Sequence, residues 1–225
     1  MRRWLPVLAV AAGVSLLWVW RSPPPEAPGP GHTDRPWQVQ SLPDGSIRAL
    51  GLVPGKSTLG EAIGRFGKGL EAAIFDSPGR GTVIEAYWSE AVSGGITGRL
   101  VVRLAPSPEV LEGLRARSPR PARTETGTVR YEIHRQDAEV VASLPIRLVT
   151  LAPTASLDED LVRARFGEPE ERLAGGAGVS HWLYPARGIA VTLTEQGREL
   201  IDYVDPRDFT WLRDTLERSA PADRR

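Results

Sequence analysis

The sequence predicts an α+β fold: an N-terminal transmembrane helix followed by two tandem copies of a strand-strand-helix-antiparallel sheet-helix unit. Three observations lead there. Trp4 to Trp20 is a run of 17 residues without a charge. Ser22 to Pro36 is rich in proline. Beyond it, a set of short motifs recurs in the same order at a nearly constant offset of about 100 residues.

The uncharged run sits at the short end of what a bilayer-crossing helix needs. Arg2 and Arg3 precede it, and tryptophans stand near both ends at Trp4, Trp18 and Trp20, where indole rings favour the headgroup boundary. By the positive-inside rule the arginines stay in the cytoplasm and the rest is sent outward. Residues 1–21 are therefore expected to be a cytoplasmic stub and signal anchor touching the lipid bilayer. The competing reading is a signal peptide cleaved near Gly13-Val14-Ser15, which would leave the apolar run Leu16–Trp20 at the new terminus. Both place the bulk of the chain in the periplasm; the first makes it a single-pass protein of the inner membrane. Residues 22–36 read as a linker, because proline removes backbone donors and favours extended geometry.

Residues 37–120 and 121–220 are the two expected α+β repeats, with 221–225 as a tail. Ile47-Arg48, Leu52 and Pro54 are matched by Ile146-Arg147, Leu151 and Pro153; Arg65-Phe66-Gly67 by Arg165-Phe166-Gly167; Trp88 by Trp182; Ser107-Pro108 by Asp205-Pro206. Each repeat opens on two strands, Gln38–Leu42 and Ile47–Val53 in the first, Val129–Ile133 and Ile146–Ala152 in the second. A helix follows, opened by Thr58 with Glu61 and by Ser156 with Glu159 at capping-box spacing. Leu59, Ala62, Ile63 and Phe66 make one apolar stripe, and Leu157, Leu161 and Phe166 a thinner one. Gly67 and Gly167 stop the helices. Strands are expected at Val83–Trp88, Ile96–Leu104, Val179–Tyr184, Ile189–Thr194 and Glu199–Val204. Ala190 and Thr192 against Ile189, Val191 and Leu193 read as one half-buried strand. Closing helices put Val110, Leu111 and Leu114, and then Phe209, Leu212 and Leu216, on their inner faces. The pattern leaves open whether the two copies pack as separate lobes or share a continuous sheet.

Composition narrows the function. Lys and Arg number 28 and Asp and Glu 28, so no basic face is on offer to nucleic acid. The absence of cysteine excludes disulfides, thiolate metal sites and a cysteine nucleophile. Gly55-Lys56-Ser57-Thr58 has the strand-to-helix context of a phosphate loop, but Leu50 stands where its first glycine belongs; a turn and cap is the expectation, with no nucleotide. His134 and His181 lack partners at metal-ligand spacing, and His32 lies in the linker. No serine sits in a presenting turn. Asp158-Glu159-Asp160 and Asp202, Asp205 and Asp208 are acidic groups whose local reading is helix-start and cap chemistry. Trp88 and Trp182 read as core. No catalytic, cofactor-binding or metal-binding residue is assigned.

Ser156 to Phe166, then Gly167-Glu168-Pro169, His181-Trp182-Leu183-Tyr184 and an alternating hairpin to Val204 carry a resemblance. This stretch resembles the small α+β domain of SmpA/OmlA-type outer-membrane assembly lipoproteins and of the tandem-repeat β-lactamase inhibitor proteins. The first repeat departs from it, with Lys68-Gly69 in place of Glu168-Pro169, and the lipoprotein cysteine is missing. The resemblance implies a non-enzymatic binding module in the envelope and carries over no partner; an envelope protein is the partner class that the expected location offers. The sequence thus points to a non-enzymatic membrane-anchored interaction or scaffold module; the alternative is a carboxylate-based hydrolase of an envelope polymer, with its site between the repeats.

Overall fold

A computed structural model describes residues 34–219 apart from residues 79, 80, 120, 125, 126, 177, 196 and 198. Its strands are β1 (Gln40–Ser41), β2 (Ile47–Arg48), β3 (Leu70–Ser77), β4 (Gly81–Ser93), β5 (Ile96–Leu104), β6 (Pro121–Arg123), β7 (Val129–Glu132), β8 (Ile146–Pro153), β9 (Glu171–Ala174), β10 (Val179–Tyr184), β11 (Ile189–Thr194) and β12 (Leu200–Val204). Its helices are α1 (Leu59–Phe66), α2 (Pro108–Ala116), α3 (Ala138–Ser143), α4 (Glu159–Phe166) and α5 (Phe209–Ser219). Ten strands form one antiparallel sheet in the order β6-β7-β3-β4-β5-β8-β12-β11-β10-β9.

This corrects the expected fold class. In place of an α+β chain of two repeated units, the described part of the protein is mostly β, with 42% of the described residues in strands and one continuous ten-stranded sheet. The cause lies in β8. It pairs with β5 through Val149↔Val102 and Leu151↔Leu100, and on its other edge with β12 through Leu151↔Ile201 and Val149↔Tyr203. Both edges of β8 are thereby satisfied, and neither strand set keeps a free edge at the junction. β7 pairs with β3, Ile74 opposite Tyr131.

The expected transmembrane helix, signal anchor and single-pass placement in the inner membrane with a periplasmic bulk are corrected as well. Among the described residues no helix is long and apolar enough to cross a membrane. The longest described helix, α5, has 11 residues. That is roughly 16 Å of helix against a hydrocarbon core of about 30 Å. Trp4–Trp20, which carried the expectation, lies outside the described residues, as do residues 1–33 in general.

Several local expectations also shift. The strand expected over Ile47–Val53 ends at Arg48, because Leu50 and Gly51 turn the backbone with φ of 53° and 81°. Thr58 makes the expected capping box with Glu61. The second helix is capped instead by Asp158, whose carboxylate accepts from the Leu161 amide at 2.7 Å. The strands β3, β6 and β9 and the helix α3 stand where no strand or helix was expected. Gly67 and Gly167 do follow the helices, with φ of 89° and 85°. Their carbonyls accept from Trp88 Nε1 and the Tyr184 hydroxyl, both at 2.9 Å.

One face of the sheet carries the main core. Ile84, Leu100, Val102, Val149, Leu151, Val191, Tyr203 and Trp182 are buried there with Leu59 and Ala62 of α1, Leu114 of α2, Val141 of α3 and Val162 of α4. The segment from Asp34 to Trp37 is strapped across both ends of this layer. Ser93 Oγ donates to the Asp34 carbonyl at 2.8 Å, the Tyr203 hydroxyl donates to the Pro36 carbonyl at 2.8 Å, and Arg187 donates to the Trp37 carbonyl at 3.1 Å. Leu151 sits at the middle of this core, 1% exposed. Leu151→Ala is expected to cost about 3 kcal/mol, by transfer and cavity terms together. Urea denaturation checks it; a loss below about 1 kcal/mol would contradict the packing described.

Candidate functional site

The opposite face of the sheet is covered over only part of its width. Residues directly opposed across an antiparallel sheet share a face. One such row runs Leu183–Ala190–Asp202–Thr150–Val101–Tyr87–Glu71. Along it the first three are buried, the next three half-buried, and Glu71 is exposed. A parallel row runs Val204–Leu148–Arg103–Glu85, buried at Val204 and Leu148 and half-buried beyond. The boundary coincides with α5. Its Phe209 and Leu212 pack on Leu148, Leu183, Ala190 and Val204, with Leu173 and Leu216 at the margin. For that reason β11 is buried on both sides rather than half-buried as its alternation suggested.

On the far side of α5, β3, β4 and β5 leave a groove of ≈ 980 Å³, bordered by Phe75, Val83, Leu104, Leu111 and Trp211 together with Arg103, Arg147 and Arg218. A smaller hollow of ≈ 250 Å³ adjoins it, sharing Phe75 and Glu85 and adding Tyr87 and Val101. Arg147 reaches this face through a bulge. Ile146 opposes Leu104 and Leu148 opposes Arg103, so Arg147 has no partner in the ladder. An unpaired bulge residue is free to be re-aimed. Its guanidinium stacks 3.8 Å from the Trp211 ring centroid, with that of Arg103 6.0 Å away. Arg103 is held by Glu85, donating from Nε at 3.1 Å and from a terminal nitrogen at 2.9 Å. Arg147 donates to Asp208 at 3.4 Å, a longer and weaker pairing.

Asp202 lies under the border between the covered and open halves. It accepts a 2.6 Å hydrogen bond from the Thr150 hydroxyl. Burial pushes its carboxyl up from the usual range to about 6, against the lowering pull of Thr150 and Arg103. His181 and Thr192 form a second buried polar pair on this face, Nδ1 and Oγ1 at 2.8 Å, and burial depresses the imidazole pKa.

The remaining candidates have local employment. Asp205 caps the turn before α5 through the Arg207 amide at 2.9 Å and is held below its ordinary pKa by the Arg207 guanidinium. Glu159 and Asp160 pair with Arg163. Asp202, Asp205 and Asp208 border neither the groove nor the hollow beside it. Asp158 and Glu159 border a separate cavity of ≈ 520 Å³ with Glu195 and Glu199. In the Gly55–Thr58 stretch, Ser57 Oγ accepts from the Val53 amide at 3.1 Å and Lys56 pairs with Asp44. His134 caps the turn at Gln136 through Nδ1. Trp88 and Trp182 are 1% exposed, in the core as expected.

Sequence reasoning missed Phe75, Tyr87, Arg103, Arg147 as a surface group, and Trp211. The usable signal was the second row of β4, where Val83, Glu85 and Tyr87 alternate with buried Ile84, Ala86 and Trp88. The chain matches no family model, and no curated protein or solved structure is significantly similar to it.

Asp202 gives a pH test. Its folded-state pKa, about 6, lies above the ordinary 3.8. The native state therefore holds the additional proton between those values, and its stability contribution falls as pH rises through that window and is constant above it. Asp202→Asn removes this component. Relative to the parent, the variant should gain about 2 kcal/mol on going from pH 4 to pH 7, measured by urea denaturation at each pH. The His181 contribution has the opposite sign and is common to both proteins, so it cancels in the difference. A difference that does not change with pH would refute the assignment.

Proposed function

We propose that this protein is a non-enzymatic interaction module whose partner docks on the uncovered half of the second sheet face. The observation that carries this reading is the abrupt end of coverage at Asp202. One half of a single cross-strand row is sealed by α5, and the other presents Val101 and Tyr87, with Phe75 and Val83 nearby, half-buried beside Trp211 and two stacked arginines. Aromatic and arginine side chains are the residue types that dominate binding energy at protein interfaces, and here they border a concave surface of mixed polar and apolar lining. The resemblance of Ser156–Val204 to non-enzymatic binding domains points the same way.

At the groove the carboxylates support this reading over hydrolysis; Asp158, Glu159, Glu195 and Glu199 meet only around the separate ≈ 520 Å³ cavity. Asp158 and Asp205 are committed to a cap and a turn, Asp208 makes a weak 3.4 Å contact with Arg147, and Asp202 is sealed beneath the sheet surface. Paired-carboxylate hydrolysis requires two such groups facing one substrate across a few ångströms.

A photo-crosslinking residue placed at Val83 or Tyr87 of the full chain, in the cells that make it, is expected to capture one discrete protein. The same residue at Glu109, on the exposed side of α2, is expected to capture none. Once that partner is purified, Tyr87→Ala should weaken binding by roughly tenfold or more, as removal of a central aromatic does. Equal adducts at all three positions, or none at Val83 and Tyr87, would contradict the assignment.

A further inference from the structure

Resting on the interaction-module reading, we infer that the occupant of the open half-face is an amphipathic helix of the partner protein with carboxylates along one flank. The fold supplies the first argument. The covered half of this same face is closed by a helix, α5, which lays Phe209, Leu212 and Leu216 on strand side chains. The open half repeats that kind of surface, with Phe75, Val83, Tyr87 and Val101 along β3, β4 and β5. An antiparallel sheet face buries its apolar side chains against a helix layer or a second sheet. The ≈ 980 Å³ groove and its ≈ 250 Å³ extension share Phe75 and Glu85, so the open surface is continuous.

Charge supplies the second argument. The groove border holds three arginines, Arg103, Arg147 and Arg218, against one glutamate, Glu85. Arg103 and Glu85 satisfy one another. Arg147 keeps only the 3.4 Å contact with Asp208, while its flat face is fixed on Trp211. A guanidinium stacked this way has its edge presented for two parallel hydrogen bonds to a carboxylate. Arg218, exposed near the end of α5, has no carboxylate within ion-pair distance among the described residues; its guanidinium donates to the Thr215 hydroxyl at 3.4 Å. A helix with glutamates spaced three and four apart on one flank would reach both arginines while its leucines fill the groove. A basic helix would meet like charge at both.

The test uses the full chain and two designed peptides that share one leucine stripe, one flanked by glutamates and the other by lysines. The glutamate peptide is expected to bind at low ionic strength, to weaken as salt is added, and to shift the Trp211 indole resonance. Arg147→Glu and, separately, the exposed Arg218→Glu should each lower its affinity at least fivefold without moving the thermal midpoint of the chain by more than a few degrees. Equal binding of the lysine peptide, an unmoved Trp211 resonance, binding by neither peptide, or indifference to both substitutions would overturn the inference. A DNA duplex that shifted Trp211 in place of the peptide would also overturn it. Crosslinks from Val83 that persist alongside any of these results would leave the interaction reading intact and remove only the acidic helix; crosslinks that fail remove both.

Discussion

Strand β8 is hydrogen-bonded along both edges, and the rest of the structure depends on that pairing. A strand at the margin of a sheet exposes a row of unpaired amides and carbonyls, which must be covered, blunted or matched. Two separate small sheets would have left two such margins facing one another. Here β8 fills the gap, with Leu100 and Val102 of β5 on one side and Ile201 and Tyr203 of β12 on the other. Leu151 and Val149 then become the middle of one core, covered by α1, α2, α3 and α4. The strap at Asp34–Trp37 repeats this logic in miniature, bonding to Ser93 of β4 and to Tyr203 of β12.

Fusing the strands fixes what the second face can do. A sheet of ten strands offers more width than one 11-residue helix can cover. α5 seals the C-terminal strands as far as Asp202, which is buried and whose carboxyl pKa is raised by that burial. A bulge in β8 sits at the border, and its released residue, Arg147, lies flat on Trp211. The groove is thus a consequence of sheet width, helix length and one ladder irregularity. The interaction module proposed above needs no moving part.

Much of this was legible in the residues, for identifiable reasons. Thr58 with Glu61, Gly67 and Gly167, and the apolar positions of α2 and α5 follow short-range rules, and the structure obeys them. What failed was long-range. No periodicity in Ile146–Pro153 says that it will take partners on both edges, so one sheet could not be told from two. The buried alternation of β11 misled because the polar-looking Thr192 is bonded to His181 beneath a cover contributed by another part of the chain. The groove was illegible for a related reason: Phe75, Tyr87 and Trp211 lie on three elements whose adjacency only the sheet order creates. The anchor drawn from Trp4–Trp20 concerned residues beyond those described, and no described helix takes its place.

Native-state hydrogen exchange tests the central claim most directly, because it reads the opening free energy of each strand separately. If β8 joins the strands into one unit, the core amides of β4, β8 and β11 should exchange through the same opening, with one free energy and one denaturant dependence equal to those of global unfolding. Exchange of β3–β5 through a smaller opening that leaves β10–β12 protected would contradict the account and return the protein to two separately folded halves.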